Sequence, residues 1–338
     1  SRFMSEIYFI ISSRCNLHCS FCIRKNISMY EDITIEDAKS VIDKLAIEFS
    51  RSNMIITGGE PTLHDNFLEI VEYACKRFLR VYVNSNGMFS LDIANGLKKF
   101  LKTNLYIQFS LDGRENVHDI LRGPGSFNHT LFIINSLRTY ASHIFISTTV
   151  GNSNIKDVLM LPKILQNMKF KCWKVSQEQV EYPTLQNVMD SSSWNSFVDT
   201  LLTKCCFRVS IKKMFDFKLF DKFMDEKINF QECIRNCGLG NYKMYITPTQ
   251  DVLGCSCMPS VYGNLKQDTV EKVKLRLKGI KVQVPENSPC FKCKYKVLCN
   301  SGCPGYSYKV FGKCGMGDLR CPIIKNKLID NEEKNSIL

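Results

Sequence analysis

No apolar run in the 338-residue chain reaches the roughly 18 residues that a membrane-spanning helix needs, so no membrane span is expected. Nor does a charged segment followed by an apolar stretch precede Cys15, as a secretory signal requires; the expected location is the cytoplasm. No internal repeat is evident. Acidic residues are outnumbered, 33 Asp and Glu against 45 Lys and Arg, which leaves a formal net charge of +12. That excess is scattered. Its densest stretch, "EKVKLRLKGIKVQV" at 271–284, alternates charge with aliphatics as an amphipathic surface segment does, so nucleic acid is not the expected partner. With 44% hydrophobic and 23% charged residues, the chain reads as soluble and globular, with a sizeable core.

What the chain has in abundance is cysteine, 17 in all. A reducing cytosol spends thiols on metals or catalysis more often than on disulfides. Their distribution is uneven: three fall in the first 22 residues and ten between Cys233 and Cys321, with only Cys75, Cys172, Cys205 and Cys206 between.

Between these ends the first half alternates. "IYFII" (7–11), "MIIT" (54–57), "VYVN" (81–84), "LYIQFS" (105–110), "IFISTTV" (144–150) and "CWKVS" (172–176) read as strands, separated by helical patterns such as "TIEDAKSVIDKLAIEF" (34–49), with Thr34 as its N-cap. Repeated strand–helix units predict a parallel α/β fold, an open partial (β/α)6 barrel of TIM type, with its functional groups on the loops after the strands. Two such loops carry chemistry: Cys15 to Cys22 after the first strand and "GGEP" (58–61) after the second. The domains are expected at 1–190 (barrel), 191–232 (helical bridge), 233–321 (a small Cys-rich domain) and 322–338 (tail).

Cys15, Cys19 and Cys22 are too few to fill a tetrahedral zinc. His18 as a fourth ligand is disfavoured, because it directly precedes Cys19 and adjacent side chains seldom converge on one ion. A 4Fe–4S cluster suits three thiolates, since its fourth iron stays open to a small molecule. The spacing Cys15-xxx-Cys19-xx-Cys22, with Phe21 just before the third cysteine, resembles the radical S-adenosylmethionine (SAM) superfamily. The resemblance implies that SAM chelates the open iron and is cleaved to a 5′-deoxyadenosyl radical.

Further motifs carry the same resemblance. Gly58, Gly59, Glu60 and Pro61 match the superfamily's Gly-Gly-Glu loop, which implies glycines that let backbone approach the methionine moiety and a Glu60 that accepts from its ammonium group. A plain turn before a helix at Pro61 would explain the glycines but not the Glu. "NSNG" (84–87), with Asn86, and "FSLDG" (109–113) resemble further loops of the barrel, and "RGPGSF" (122–127) extends the match. By that analogy Ser110 and Arg122 hold the SAM carboxylate and ribose, and strand-end capping and surface pairing are the alternatives.

The late block Cys290-x2-Cys293-x5-Cys299-x3-Cys303, with Cys237 and Cys255 upstream, resembles the SPASM extension of such enzymes, which implies two auxiliary 4Fe–4S clusters and three in all. Position by position, one takes Cys237, Cys255 and Cys303 with Cys233 as the fourth ligand. The other takes Cys290, Cys293, Cys299 and Cys321, the last preferred to Cys314. A zinc ribbon is the alternative, but it leaves Cys237, Cys255 and Cys303 without a role. The family usually has a glycine five residues before the counterpart of Cys255; here Gln250 stands there, so that turn is built differently. The six remaining cysteines are expected to be mostly buried apolar residues, with Cys257 and Cys172 the candidates for a catalytic thiol.

The resemblance implies an oxidative enzyme acting on a ribosomally made peptide and forming a carbon–carbon or carbon–heteroatom link, fed electrons by a flavodoxin or ferredoxin. Peptide epimerisation is one alternative and small-molecule chemistry on a sugar or tetrapyrrole another. Sulfatase maturation is disfavoured, because Ser256 stands where such maturases carry an Asp. With Cys15 so near the start, no leader-binding domain is expected ahead of the barrel, and a separate leader-recognition protein becomes a candidate partner.

Overall fold

Alternation along the strands decides which way the sheet faces. β1 (Glu6–Ser12), β2 (Asn53–Gly58), β3 (Arg80–Ser85), β4 (Leu105–Ser110), β5 (Ile144–Val150) and β6 (Cys172–Gln177) lie parallel and in chain order in the computed structural model, which describes residues 4–17, 31–180, 184–226 and 237–335. Ile7, Phe9, Ile11, Met54, Ile56, Val81, Val83, Leu105, Ile107 and Phe109 all point to one face and form the main core with the helices. Those helices are α1 (Ile35–Phe49), α2 (Phe67–Arg77), α3 (Leu91–Leu101), α4 (Glu115–Arg122) and α5 (Ser126–Ser136). Residues one step out of phase face the interior. There Tyr82 stacks on Tyr106 with ring centroids 4.9 Å apart, and Lys174 lies 4.3 Å from the Phe145 centroid.

Helix α1 shows how local sequence and packing agree. Thr34 Oγ1 accepts from the Asp37 backbone N–H at 3.1 Å, closing the first turn, and Ala38, Val41, Ile42, Leu45 and Phe49 recur at helical spacing as its buried stripe. Each large member contributes about 1.5–3 kcal/mol by leaving water. Past β5 come the short helices α6 (Ile155–Val158) and α7 (Pro162–Leu165), and after β6 comes α8 (Ser191–Thr203), which packs Trp194, Phe197 and Leu201 into a second core with Trp173.

The six strands stand where the alternation predicts, but the sheet does not end with them. The stretch expected as a helical bridge also supplies β7 (Val209–Ser210), parallel to β6. On the other edge β8 (Lys243–Ile246) pairs in parallel with β1, Tyr8 opposite Tyr245, and β9 (Asp251–Leu253) and β10 (Val261–Asn264) extend it antiparallel. Among the described residues the result is one sheet of ten strands, ordered β10-β9-β8-β1-β2-β3-β4-β5-β6-β7. The change of composition near 233 is therefore not a break in the sheet.

Gln250 sits in the β8–β9 turn with φ +69°, in the left-handed region that glycine enters without strain. This is the physical sense of the missing glycine: the turn keeps the glycine conformation and places a buried Gln in it, at 2% exposure. Among the described residues the remaining helices are α9 (Phe217–Asp225), α10 (Val270–Lys278), α11 (Lys296–Cys299), α12 (Pro304–Phe311) and α13 (Pro322–Asn335). The basic stretch expected to be amphipathic is largely α10, which buries Val273 and Leu277, leaves Lys272 and Lys278 exposed and pairs Lys274 with Glu48 of α1. Among the described residues no helix is long and apolar enough to cross a membrane.

Candidate functional site

The loops after β1, β2 and β3 close on one another through backbone contacts that only glycine permits. Gly59 N–H donates to Ser12 O at 3.0 Å and Glu60 N–H to Arg14 O at 2.8 Å, tying the second loop to the cysteine loop. A Cβ on Gly58 would overlap the Ser12 carbonyl, and one on Gly59 would overlap the Arg14 carbonyl and lie 2.7 Å from its carbon and 2.8 Å from Ser13 O. The close approach that these glycines allow is thus to the backbone bearing Cys15. Ser12 Oγ donates to Asp32 at 2.6 Å, and Arg14 pairs with the same carboxylate and with Leu63 O, which braces the loop from the other side.

Glu60 is fully buried, and four donors converge on its carboxylate: the Thr62 N–H and hydroxyl, the Ser85 hydroxyl at 2.9 Å and the Asn86 N–H at 2.8 Å. A carboxylate offers about four lone-pair sites, so these partners saturate it. Burial pushes its carboxyl above the ordinary range, and the four donors pull back toward ionisation. Glu60 ties the end of β3 to the single 3-10 turn at Pro61–Leu63, where one alternative predicted a helix starting at Pro61. Glu60→Gln turns one acceptor into a donor facing donors and is expected to lower stability by about 3 kcal/mol in anaerobic urea unfolding.

From that fixed loop Asn86 reaches the cysteine loop. Its Nδ2 lies 2.8 Å from Asn16 Oδ1 and 3.8 Å from Cys15 Sγ, and Asn16 Nδ2 donates to Met88 O at 2.8 Å. Cys15 itself is exposed at the ends of the strands. Its companions Cys19, Cys22 and Phe21 lie outside the described residues, as does Cys233.

Ser110 ends β4 half-buried on the interior face. Arg122 closes α4 and forms a buried ion pair with Asp112, whose side chain is 0% exposed and also accepts from Thr149 N–H at 2.8 Å. Its charge is therefore matched from within the protein. Neighbouring Gly123 comes within 3.3 Å of the Leu17 side chain at its Cβ position, which brings this corner to the cysteine loop. Asp112, Asn154 and His118 escaped the sequence reading, because the partners that join their loops lie as far as 42 residues away. Asn154 Nδ2 donates to the carbonyls of Asp112 and Thr149 at 2.9 and 2.8 Å, locking the β4 and β5 loops together.

His118 is fully buried. Its Nδ1 accepts from Asp112 N–H at 3.0 Å, and burial pushes its pKa down to about 4 from 6.5. The neutral ring is what the fold accommodates, so its contribution is present above pH 6.5 and lost as the pH falls through 4. Between pH 7 and 5 this group should cost about 2 kcal/mol of unfolding free energy. Urea titrations of the wild type and of His118→Phe at both pH values check it, and the variant should lack that part of the slope.

The C-terminal cysteines fall into two groups. Cys290, Cys293, Cys299 and Cys321 line one small cavity, with Asp318 and Tyr295 in its wall. Burial pushes the Cys290 thiol up to about 11 and Cys299 to about 12. Cys314 stands apart, its sulfur 3.4 Å from Met258 Sδ. In the second group, Cys255 Sγ accepts from Cys257 N–H at 3.3 Å, and Cys303, at the N-cap of α12, accepts from Tyr306 N–H at 3.4 Å. Gln179, just past β6, spans this group and the barrel, with Cys257 Sγ 3.4 Å from its Oε1 and Cys303 Sγ 3.6 Å from its Nε2. Gly305 makes room, since a Cβ there would lie 2.8 Å from Cys257 Cβ and 3.1 Å from Cys255 Sγ. Cys237 is exposed, one residue past the segment that contains Cys233.

Among the described residues no three His, Cys, Asp or Glu side chains converge as a single metal ion requires. The donor set is soft thiolate bordering a cavity, or gathered against a glycine, and it fits an iron–sulfur cluster. Of the other cysteines only Cys172 is buried; Cys206 is exposed and Cys75, Cys205, Cys257 and Cys314 are half-buried, so the expected burial holds for one of six. Cys172 opens β6, five residues and roughly 16 Å short of Gln177 at the end where the loops gather. The fold does not bring it to Cys15.

Residues 9–161 match the model of the radical SAM superfamily. The antilisterial bacteriocin subtilosin biosynthesis protein AlbA of Bacillus subtilis is 26% identical over 280 residues, which cover 78% of this chain and 58% of that protein. An AdoMet-dependent heme synthase of Methanosarcina barkeri is 23% identical over 323 residues, 89% of this chain and 91% of that one. Among solved structures, Streptococcus suis SuiB bound to precursor peptide SuiA superposes with a TM-score of 0.74 at 17% identity, over 95% of this chain and 76% of that one. This likeness is one of fold.

Proposed function

Because this chain belongs to the radical SAM superfamily through residues 9–161, we propose that it cleaves SAM reductively and oxidatively modifies a peptide, forming a carbon–carbon or carbon–heteroatom link. Cys15, Cys19 and Cys22 would hold the SAM-binding 4Fe–4S cluster. Cys237, Cys255 and Cys303, with Cys233, would hold one auxiliary cluster, and Cys290, Cys293, Cys299 and Cys321 the other. Bound SAM and its cluster supply the radical that removes hydrogen from an unactivated carbon.

The protein's own part is placement. The glycine-permitted contacts of Gly58 and Gly59 fix the backbone that carries Cys15, and Glu60 holds the β3 loop so that Asn86 stands against Cys15 and Asn16. The Asp112–Arg122 pair and Asn154 fix the opposite loops. Gln179 joins the barrel to the Cys255–Cys257–Cys303 group, and a join of this kind would let an electron left on the substrate after bond formation pass to an auxiliary cluster.

The observation that carries the peptide reading is the shared extent of the two-part chain with AlbA and with the fold of SuiB, whose structure was solved with a precursor peptide. The chain spans little more than half the length of AlbA. A leader-recognition protein and a flavodoxin or ferredoxin donor are proposed as its partners. A tetrapyrrole substrate is the second reading, favoured by the match along 91% of the heme synthase. The test is mass spectrometry in heavy water of peptides encoded beside the gene, after anaerobic incubation with SAM and dithionite. Loss of two hydrogens supports the link; a mass higher by one, from a single deuteron replacing a hydrogen, indicates epimerisation; an untouched peptide rejects the peptide reading.

A further inference from the structure

Glu178 carries β6 one residue further, since its N–H donates to Val150 O at 2.8 Å. By the two-residue alternation it shares the interior face with Lys174 and Ser176, and the register that sets Val150 against Gln177 sets Gly151 against Glu178. Gly151 makes the space: a Cβ there would overlap Glu178 Oε2 and lie 3.0 Å from its Cδ. The side chain is half-buried, and among the described residues its carboxylate has neither a hydrogen bond nor an ion pair.

This sets it apart from other carboxylates at the same strand ends. Four donors saturate Glu60, Arg14 meets Asp32, Arg122 meets Asp112 and Arg114 meets Asp157. Each of those charges is matched within the fold. Glu178 is left with burial and the like charge of Asp112, and both push its carboxyl up. A half-buried carboxylate without a donor is poorly solvated. A cation brought by a ligand matches it in charge as well as in hydrogen bonding.

Its place on the rim points to that ligand. On one side the Asp112–Arg122 pair leads through Gly123, whose Cβ position lies 3.3 Å from the Leu17 side chain, to the loop of Cys15. On the other side the next residue is Gln179, whose amide spans Cys257 and Cys303. The proposed reaction takes hydrogen near Cys15 and delivers an electron near Cys303, so its substrate lies along this path, past Glu178.

Resting on the reading of the chain as a peptide-modifying enzyme, we propose that the Glu178 carboxylate pairs with a cationic group of the substrate peptide, a Lys or Arg side chain or the amino terminus, and so holds the reacting segment across the mouth of the barrel. Its role is binding and orientation. No bond forms or breaks at it.

The test is steady-state kinetics on the anaerobically reconstituted full chain with SAM, dithionite and the peptides encoded beside the gene, with iron content measured on each sample. Replacing one Lys or Arg of the peptide by Met, or acetylating its amino terminus, should raise the peptide KM about tenfold or more for the wild type, as loss of a hydrogen bond between charged groups does, and leave the KM for SAM as it was. Glu178→Gln should show the same rise with the unaltered peptide and no further rise with the altered one, the non-additivity of two groups in contact. If Glu178→Gln sheds iron, Glu178→Lys decides, against a peptide with Glu in place of the cation: it must take this peptide with a lower KM than the original. Additive effects, a peptide KM indifferent to every cation, or a rise in the KM for SAM instead, overturn the proposal while the peptide reading stands. A wild type that leaves every peptide untouched rejects the peptide reading, and this proposal with it.

Discussion

Cys15→Ala is expected to bring 5′-deoxyadenosine formation below detection and to lower iron from about twelve to about eight per chain. Cys15 is the described member of the three-cysteine loop, exposed at the end of β1, with the Asn86 amide 3.8 Å from its sulfur. Two thiolates cannot hold a cluster that keeps one iron open, so the loss is of the cofactor and not of a contact. On the proposed assignment the C-terminal groups share no ligand with this loop, and they should keep their irons. Iron and sulfide analysis beside product chromatography checks both halves. Normal turnover with full iron would show that the radical source lies elsewhere.

Gly59→Ala is the second large effect, and it comes through backbone. The new methyl group would overlap the Arg14 carbonyl oxygen and lie 2.7 Å from its carbon, and neither atom is the far end of a flexible side chain. One loop must move, breaking the 2.8 Å bond from Glu60 N–H to Arg14 O and the 3.0 Å bond from Gly59 N–H to Ser12 O. Overpacking of this kind costs about 3 kcal/mol. Because the displaced segment carries Cys15, a shift of about 1 Å should also slow SAM cleavage by roughly 100-fold. Anaerobic urea unfolding measures the first and the initial rate of deoxyadenosine formation the second. A variant with wild-type values in both would mean that the loops are not locked as described.

The parts of the fold that were legible are those whose signal is local. The six parallel strands follow from apolar runs separated by helical periods, and Thr34 marks its helix because its hydroxyl serves the N–H three residues on. The pairing of β8 with β1 joins residues more than 230 positions apart, and no periodicity reports a partner at that distance. Gln250 hides a glycine conformation behind a residue that seldom adopts it.

The site divides in the same way. The spacing of Cys15, Cys19 and Cys22 and the block from Cys290 to Cys303 are patterns in sequence, so their chemistry could be read before any geometry. What each supporting residue does could not. Beside the room Gly58 and Gly59 are read as leaving for a ligand, they make room for the Ser12–Arg14 backbone. Glu60 looked like an open acceptor, yet two of its donors, Ser85 and Asn86, arrive from 25 and 26 residues away. Arg122 reads as a partner of the SAM carboxylate or ribose, with surface pairing the alternative, and Asp112, ten residues earlier, meets it in a buried pair. In each case a functional motif also carries the fold's polar satisfaction, and burial decides which role the atoms have left to play.

The central claim is that the Cys15 loop presents an iron with an open corner to SAM. Low-temperature electron paramagnetic resonance of dithionite-reduced, strictly anaerobic protein, recorded before and after adding SAM, tests it most directly, with the quenched sample analysed for 5′-deoxyadenosine. The account predicts a changed cluster signal and deoxyadenosine in both the wild type and Cys293→Ala, and neither in Cys15→Ala. An identical spectrum with and without SAM, and no deoxyadenosine from fully loaded wild type, would contradict it.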